Sequence, residues 1–327
     1  MKKHTARLIV FAVLIVSLAA LSHGQQITAR VSPVPLWPGP SGDFSQHPDQ
    51  YVFFDPPNRE WVVYFPEDLS RPLFSRKIEL RFGSRAEVKP ELASHVERLA
   101  DGTYSYTYTV QNLVQARTPI EEWVLIVPRR DETLSSAHPG WGPGVKGTRI
   151  VPLMNPGAVG PNRMVELVWA APNSNSLIGR GNASGLFSVR SAFAPGFTLS
   201  SASGRANRAY DAQIAASLPK PVADQLATVM APAWNARQQV VIGPWFASDA
   251  PLSYIAANFG YGIQRLSHSR VLDHNSAFVK GAMETFEAFQ QSQAESFLDP
   301  DRMDFLSNAA PGLESEIANA IRLTLTR

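Results

Sequence analysis

Residues 266–276 read LSHSRVLDHNS and bring Ser267, His268, Asp273 and His274 into one short stretch. A hydroxyl, an imidazole and a carboxylate are the parts of a nucleophile, base and orienter, the chemistry of a hydrolase. That chemistry needs the groups to converge within hydrogen-bond reach, and side chains adjacent along a chain rarely do so. No Gly-x-Ser-x-Gly elbow occurs in the sequence to present a serine. Asp273 and Asn275 are also of the types that cap a helix start, and a helix is expected directly after them. The capping reading is preferred, and no residue is assigned a catalytic role.

A second stretch, SSAHPGWGPG at 135–144, holds His138 and Trp141. Glycine and proline bracket Trp141, so no regular element obliges its burial. An exposed Trp beside His138 is therefore a candidate ligand contact. The competing reading, which is preferred, folds the indole back over one end of the sandwich, because large aromatics are mostly buried. The run DGTYSYTYTVQNL (101–113) puts Tyr104, Tyr106 and Tyr108 on alternate positions. On one side of a strand such rings lie about 6.6–6.8 Å apart, the spacing of a platform for sugar rings. They equally fill the interior layer of a sheet, which is the expected reading.

The sequence offers little for a metal. It has no cysteine and no His-Glu-x-x-His, and DPDRMD (299–304) places Met303 and Asp304 where a calcium loop needs an oxygen ligand and a glycine. GRGNASG (179–185) lacks the spacing of a dinucleotide or phosphate loop, and Asn182-Ala183-Ser184 within it matches a glycosylation acceptor. A glycosidase needs two carboxylates facing across a cleft; Glu121-Glu122 and Asp131-Glu132 are adjacent pairs of the kind found on solvated surface. No metal site and no cofactor is expected.

The elements that would position these residues follow a segment with the form of a signal peptide. Lys2, Lys3 and Arg7 precede an apolar run from Leu8 to Leu21, broken only by Ser17. That run is shorter than the roughly 17–25 residues of a membrane-spanning helix. Ser22 and Gly24 are the small residues of a cleavage site, placed after Gly24, so the mature protein is expected to be secreted or periplasmic with no membrane span. Removing residues 1–24 leaves 27 Lys and Arg against 28 Asp and Glu, a formal charge of −1. That near-neutral balance, without basic runs, sets nucleic acid aside as a partner. With no cysteine there are no disulfides, and the remaining 303 residues must be held by core burial.

Residues 25–49 carry five prolines between Pro33 and Pro48 and read as a linker or strap, with Leu36 and Trp37 as anchors. Strand patterns follow at 50–55 and 59–65 around a PPN turn, at 76–82, in the tyrosine run, and at 120–128, whose interior is continuously apolar. Further strands are read at 163–171, 185–193, 196–202 and 208–214, with a turn at 155–162. Short strands punctuated by Gly, Pro and Asn predict a mainly β fold, an antiparallel β-sandwich of immunoglobulin or fibronectin type over 50–217. A mostly helical region is expected over 218–327, with one more strand at 238–246. There Phe278, Ala282, Phe286, Phe289 and Phe297 gather near one helix face, and Leu313, Ile317, Ile321 and Leu325 recur at every fourth position.

The runs DGTYSYTYTVQNL…TPIEEWVLIVP and SGLFSVRSAFAPGFTLSSASG resemble β-sandwich modules of uncharacterised bacterial exported proteins, many of which carry a PEP-CTERM sorting tag. The resemblance covers about residues 101–128 and 185–213. It implies a sandwich fold and export, and no activity. Residues 300–327 hold no Pro-Glu-Pro signature with an apolar span and basic cluster, so sorting by such a tag is not implied.

These readings lead to an exported, non-catalytic β-sandwich protein with a binding or structural role in the cell envelope or exterior, its partner a carbohydrate or an envelope protein. Two alternatives stand beside it. One is an extracytoplasmic hydrolase that uses His268, Asp273 and His274 or loop carboxylates. The other is an assembly subunit that docks through its helical tail.

Overall fold

The computed structural model describes residues 34–44, 49–69, 77–83, 87–128, 133–136, 138, 140–149, 164–205, 217–235, 238–292 and 300–326. The expected signal peptide, the turn at 155–162, the strand at 208–214, the Asp131-Glu132 pair and Phe297 lie outside the described residues. The chain divides into two compact units, Met1–Arg81 with Leu218–Val229, and Phe82–Ser217 with Met230–Arg327.

Continuous apolar runs form β1 (Val52–Asp55) and β2 (Glu60–Pro66), and an alternating one forms β3 (Lys77–Gly83), which begins in the first unit; the three make a sheet in that order. Asp55 stabilises the β1–β2 turn by accepting from the Asn58 backbone N–H at 3.4 Å and its side-chain amide at 3.0 Å. Arg59 completes the turn in the left-handed region, with a φ of 56°. The proline-rich strap runs along the β1 edge. Trp37 N–H donates to the Phe54 carbonyl at 2.8 Å, and Phe54 N–H to the Pro35 carbonyl at 3.0 Å. Trp37 anchors the strap through ring contacts with Phe53 and Tyr64, whereas Leu36 is exposed. From the N-terminal part of helix α1 (Lys220–Asn235), the Gln225 side-chain oxygen accepts from the N–H groups of Tyr51 (2.6 Å) and Val52 (2.9 Å).

The second unit is a sandwich of two antiparallel sheets. One holds β4 (Pro90–Arg98), β5 (Tyr104–Asn112), β10 (Phe187–Ser191) and β7 (Thr133–Ser136), in the order β4-β5-β10-β7. The other holds β12 (Gln238–Phe246), β11 (Ala194–Gly204), β6 (Ile120–Val127), β9 (Met164–Ala170) and β8 (Gly142–Arg149), in the order β12-β11-β6-β9-β8. Period-two alternation sends Tyr104, Tyr106, Tyr108 and Val110 of β5 to the interior, each at most 3% exposed. The sheets meet through aromatic rings, as large flat side chains fill the gap of about 10 Å between packed sheets. Trp123 of β6 lies 5.0 Å from the Tyr108 ring, 5.1 Å from Phe187 and 4.6 Å from Trp169 of β9, centroid to centroid.

The neighbours β4-β5-β10 and β12-β11-β6 are those of strands A-B-E and G-F-C in an immunoglobulin domain. The remaining strands depart from that chain order. β7 takes the edge beside β10 first, and only afterwards do β8 and β9 extend the sheet of β6. The structure also redistributes the strands expected in one sandwich over 50–217. β1 to β3 form a sheet of their own, and β12, which follows α1, joins the sandwich beside β11.

Helices cover the outer face of the β11–β12 side. β11 is buried along nearly its whole length: Trp123 of the neighbouring strand β6 donates to its Ser200 hydroxyl at 2.8 Å, and helix α2 (Leu252–His268) and the C-terminal helix pack on it. Gly262 of α2 sits against the Phe197 ring, so close that a Cβ there would fall 1.9 Å from that ring. Asn258, one turn earlier, accepts from the Phe197 N–H at 2.7 Å and donates to its carbonyl at 3.0 Å. Helix α3 (Ala277–Ser292) packs on α2 through Phe286 and Phe259, and a 3-10 segment, Pro300–Asn308, adds Phe305 against Phe278 and Phe286. Phe278 and Phe286 are thus covered within the chain. Helix α4 (Leu313–Leu325) buries Ile317 and Ile321 and packs on β4 and β11. No helix among the described residues is long and apolar enough to cross a membrane.

Candidate functional site

The 135–144 stretch spans the end of β7, the β7–β8 connection and the start of β8, and is met by the loop from 172–186. Trp141 is 4% exposed, which matches the preferred reading of an indole folded back and not the exposed Trp of a ligand contact. Its indole N–H donates to the Ser176 carbonyl, and its ring lies 5.4 Å from Phe187 and 5.5 Å from His138. Trp141 closes one end of the sandwich because the segment around Ser176 brings it an acceptor from 35 residues away. Gly140 beside it has a φ of 78°, a left-handed turn that glycine adopts without strain.

His138 is fixed in the same corner. Its Nδ1 accepts from the Gly185 backbone N–H at 3.0 Å, which places the proton of the neutral ring on Nε2. Burial pushes its pKa below the ordinary histidine value, and a hydrogen bond to the Ser176 backbone partly opposes that shift. The Trp141–His138 pair therefore has polar atoms committed to the backbone of one loop, at Ser176 and Gly185. Its arrangement joins the β7–β8 connection to the segment before β10.

The 266–276 cluster does not converge. His268 is on the last turn of α2, exposed, with Nδ1 2.8 Å from the Gln264 carbonyl of its own helix. Asp273 accepts from the Asn275 N–H at 2.9 Å, a local turn. His274 Nδ1 stands 4.0 Å from the Asp273 carboxylate, both side chains being about 70% exposed or more. The helix cap falls on Ser276, whose hydroxyl accepts from the Val279 N–H at 3.1 Å, rather than on Asp273 or Asn275. Ser267 and His268 thus belong to the end of α2, and Asp273 holds the turn that leads into α3.

The tyrosine ladder is likewise interior. Tyr106 hydroxyl donates to the Phe193 carbonyl at 2.6 Å, whereas the buried Tyr108 hydroxyl has no hydrogen-bond partner among the described residues. Burial pushes the Tyr106 and Tyr108 phenols well above the ordinary tyrosine value. Asn182 is exposed on a turn, and Ser184 of the same acceptor triplet accepts from the Val110 N–H at 2.9 Å.

One cluster was not legible in the sequence. On the three-stranded sheet, Arg81 pairs with Asp55 at 2.6 Å, Glu79 at 2.7 Å and Glu60 at 3.2 Å, and its guanidinium carbon lies 5.8 Å from the Trp37 ring centre. Hydrogen bonds from Asn58 and Arg81 hold the Asp55 carboxyl below its ordinary pKa. The alternation Lys77, Glu79, Arg81 reads only as a solvated strand face; the cross-strand carboxylates appear once β1 and β2 are paired through Asp55 and Glu60. Among the described residues, no three His, Asp or Glu side chains gather where they could hold a metal ion.

No protein-family model matches the chain, and no curated protein matches it. Among solved structures, a chain titled "BspA_C_WT" aligns over 45% of this chain and 54% of its own length, with 13% identity and a TM-score of 0.15. A second, "BspA_C_mut", aligns over 45% and 50%, with 9% identity and a TM-score of 0.16. This chain thus spans about half the length of each.

Proposed function

We propose that this chain is an exported, non-catalytic β-sandwich protein with a binding or structural role in the cell envelope or exterior. The observation that carries the reading is the use made of the residues with reactive chemistry. His138 receives a backbone N–H, His268 faces a carbonyl of its own helix, and Asp273 holds a local turn. Each serves the backbone around it, the work of a scaffold residue. The signal-like N-terminus and the strand patterns shared with bacterial exported modules support export. A carbohydrate or an envelope protein is the partner such a scaffold would meet there.

The test uses protein beginning at Gln25, offered immobilised envelope polysaccharides and, in parallel, a panel of esterase, peptidase and glycosidase substrates. Retention on a polysaccharide without turnover of any substrate is the expected result. Turnover that disappears in His268→Ala and Asp273→Asn would overturn the reading in favour of a hydrolase.

A further inference from the structure

We draw no further inference here: the strongest candidate, the half-exposed aromatic cluster of Trp37, Phe44 and Tyr64 where the proline-rich strap meets the three-stranded sheet, has its rings packed against one another and against the Arg81 guanidinium, and nothing in the structure shows what ligand would cover it.

Discussion

The side-chain amide of Asn319 donates a 2.9 Å hydrogen bond to the backbone carbonyl of Val96. Val96 belongs to β4, which among the described residues is an edge strand paired with β5. Edge strands present backbone groups that invite pairing with another chain, and covering them with a helix is one way proteins prevent it. Helix α4 does this with a series of polar contacts: Glu316 to His95 at 3.1 Å, Asn319 to Val96, and the Leu323 and Thr326 carbonyls to Tyr104 (3.5 Å) and Arg98 (3.3 Å). The C-terminal helix is thus part of the sandwich's closure.

Asn319→Leu therefore removes a donor from a strand carbonyl while keeping the helix. The expected cost is about 1–3 kcal/mol, since the carbonyl loses its partner at a partly buried position. A urea unfolding midpoint measures it. Truncation before Gly312 is a harsher change that bares the β4 edge and the apolar surface under Ile317 and Ile321. Concentration-dependent aggregation by light scattering is the expected outcome, and a soluble, monomeric truncated protein would contradict the edge-covering role.

Two neighbouring tyrosines should respond in opposite directions to the same substitution. Tyr106→Phe deletes the donor to the Phe193 carbonyl and is expected to destabilise the fold by about 1 kcal/mol or somewhat more. Tyr108→Phe removes a buried hydroxyl that has no partner among the described residues, and is expected to be neutral or stabilising by up to about 1 kcal/mol. Thermal or urea unfolding of the pair decides the matter. Equal losses in both variants would mean that the Tyr108 hydroxyl has a partner.

What was legible in the sequence follows the range of the physics involved. The tyrosine ladder and the apolar β6 run announce their faces because side-chain alternation is local to a strand. The Phe278 and Phe286 positions announce a covered helix face for the same reason. Burial of Trp141 was the preferred reading, but its partner was not legible, because the Ser176 carbonyl belongs to another loop. Residues 52–83 were not separable from the sandwich, because continuous and alternating apolar strands occur in both. What distinguishes them is pairing with one another and the support of Gln225, about 170 residues further on. In the 266–276 stretch, Asp273 serves the local backbone, where residues close in sequence meet their own chain first. Even so, the cap itself fell on Ser276, one residue after Asn275.

The His138 environment sets a pH dependence of stability with a definite sign. Burial lowers its folded-state pKa below the unfolded value, so the unfolded chain binds the proton more readily. Stability from the neutral ring is full above the unfolded value of about 6.5 and falls as pH drops through it toward the lowered folded value. Urea midpoints for the parent and His138→Gln, taken from pH 8 to pH 5, should converge as the pH falls. A gap between the two that is constant with pH would remove the histidine from this role.

Gly262→Ala sets two effects of known size against each other. In a helix interior alanine is favoured over glycine by about 1 kcal/mol, so an open site would gain stability. At position 262 the new Cβ would stand 1.9 Å from one Phe197 ring carbon and 2.3 Å and 2.5 Å from two others. That ring cannot swing away freely: it is fully buried, packs edge-on against Phe259 at 5.7 Å, and its backbone is held on both sides by Asn258. Overpacking of this kind costs about 1–3 kcal/mol and occasionally more, so the steric term wins and α2 is forced off β11. A lowered thermal midpoint for Gly262→Ala is expected, with partial recovery in Gly262→Ala combined with Phe197→Leu, where the smaller side chain yields room. A Gly262→Ala protein more stable than the parent would show that α2 does not seat on Phe197.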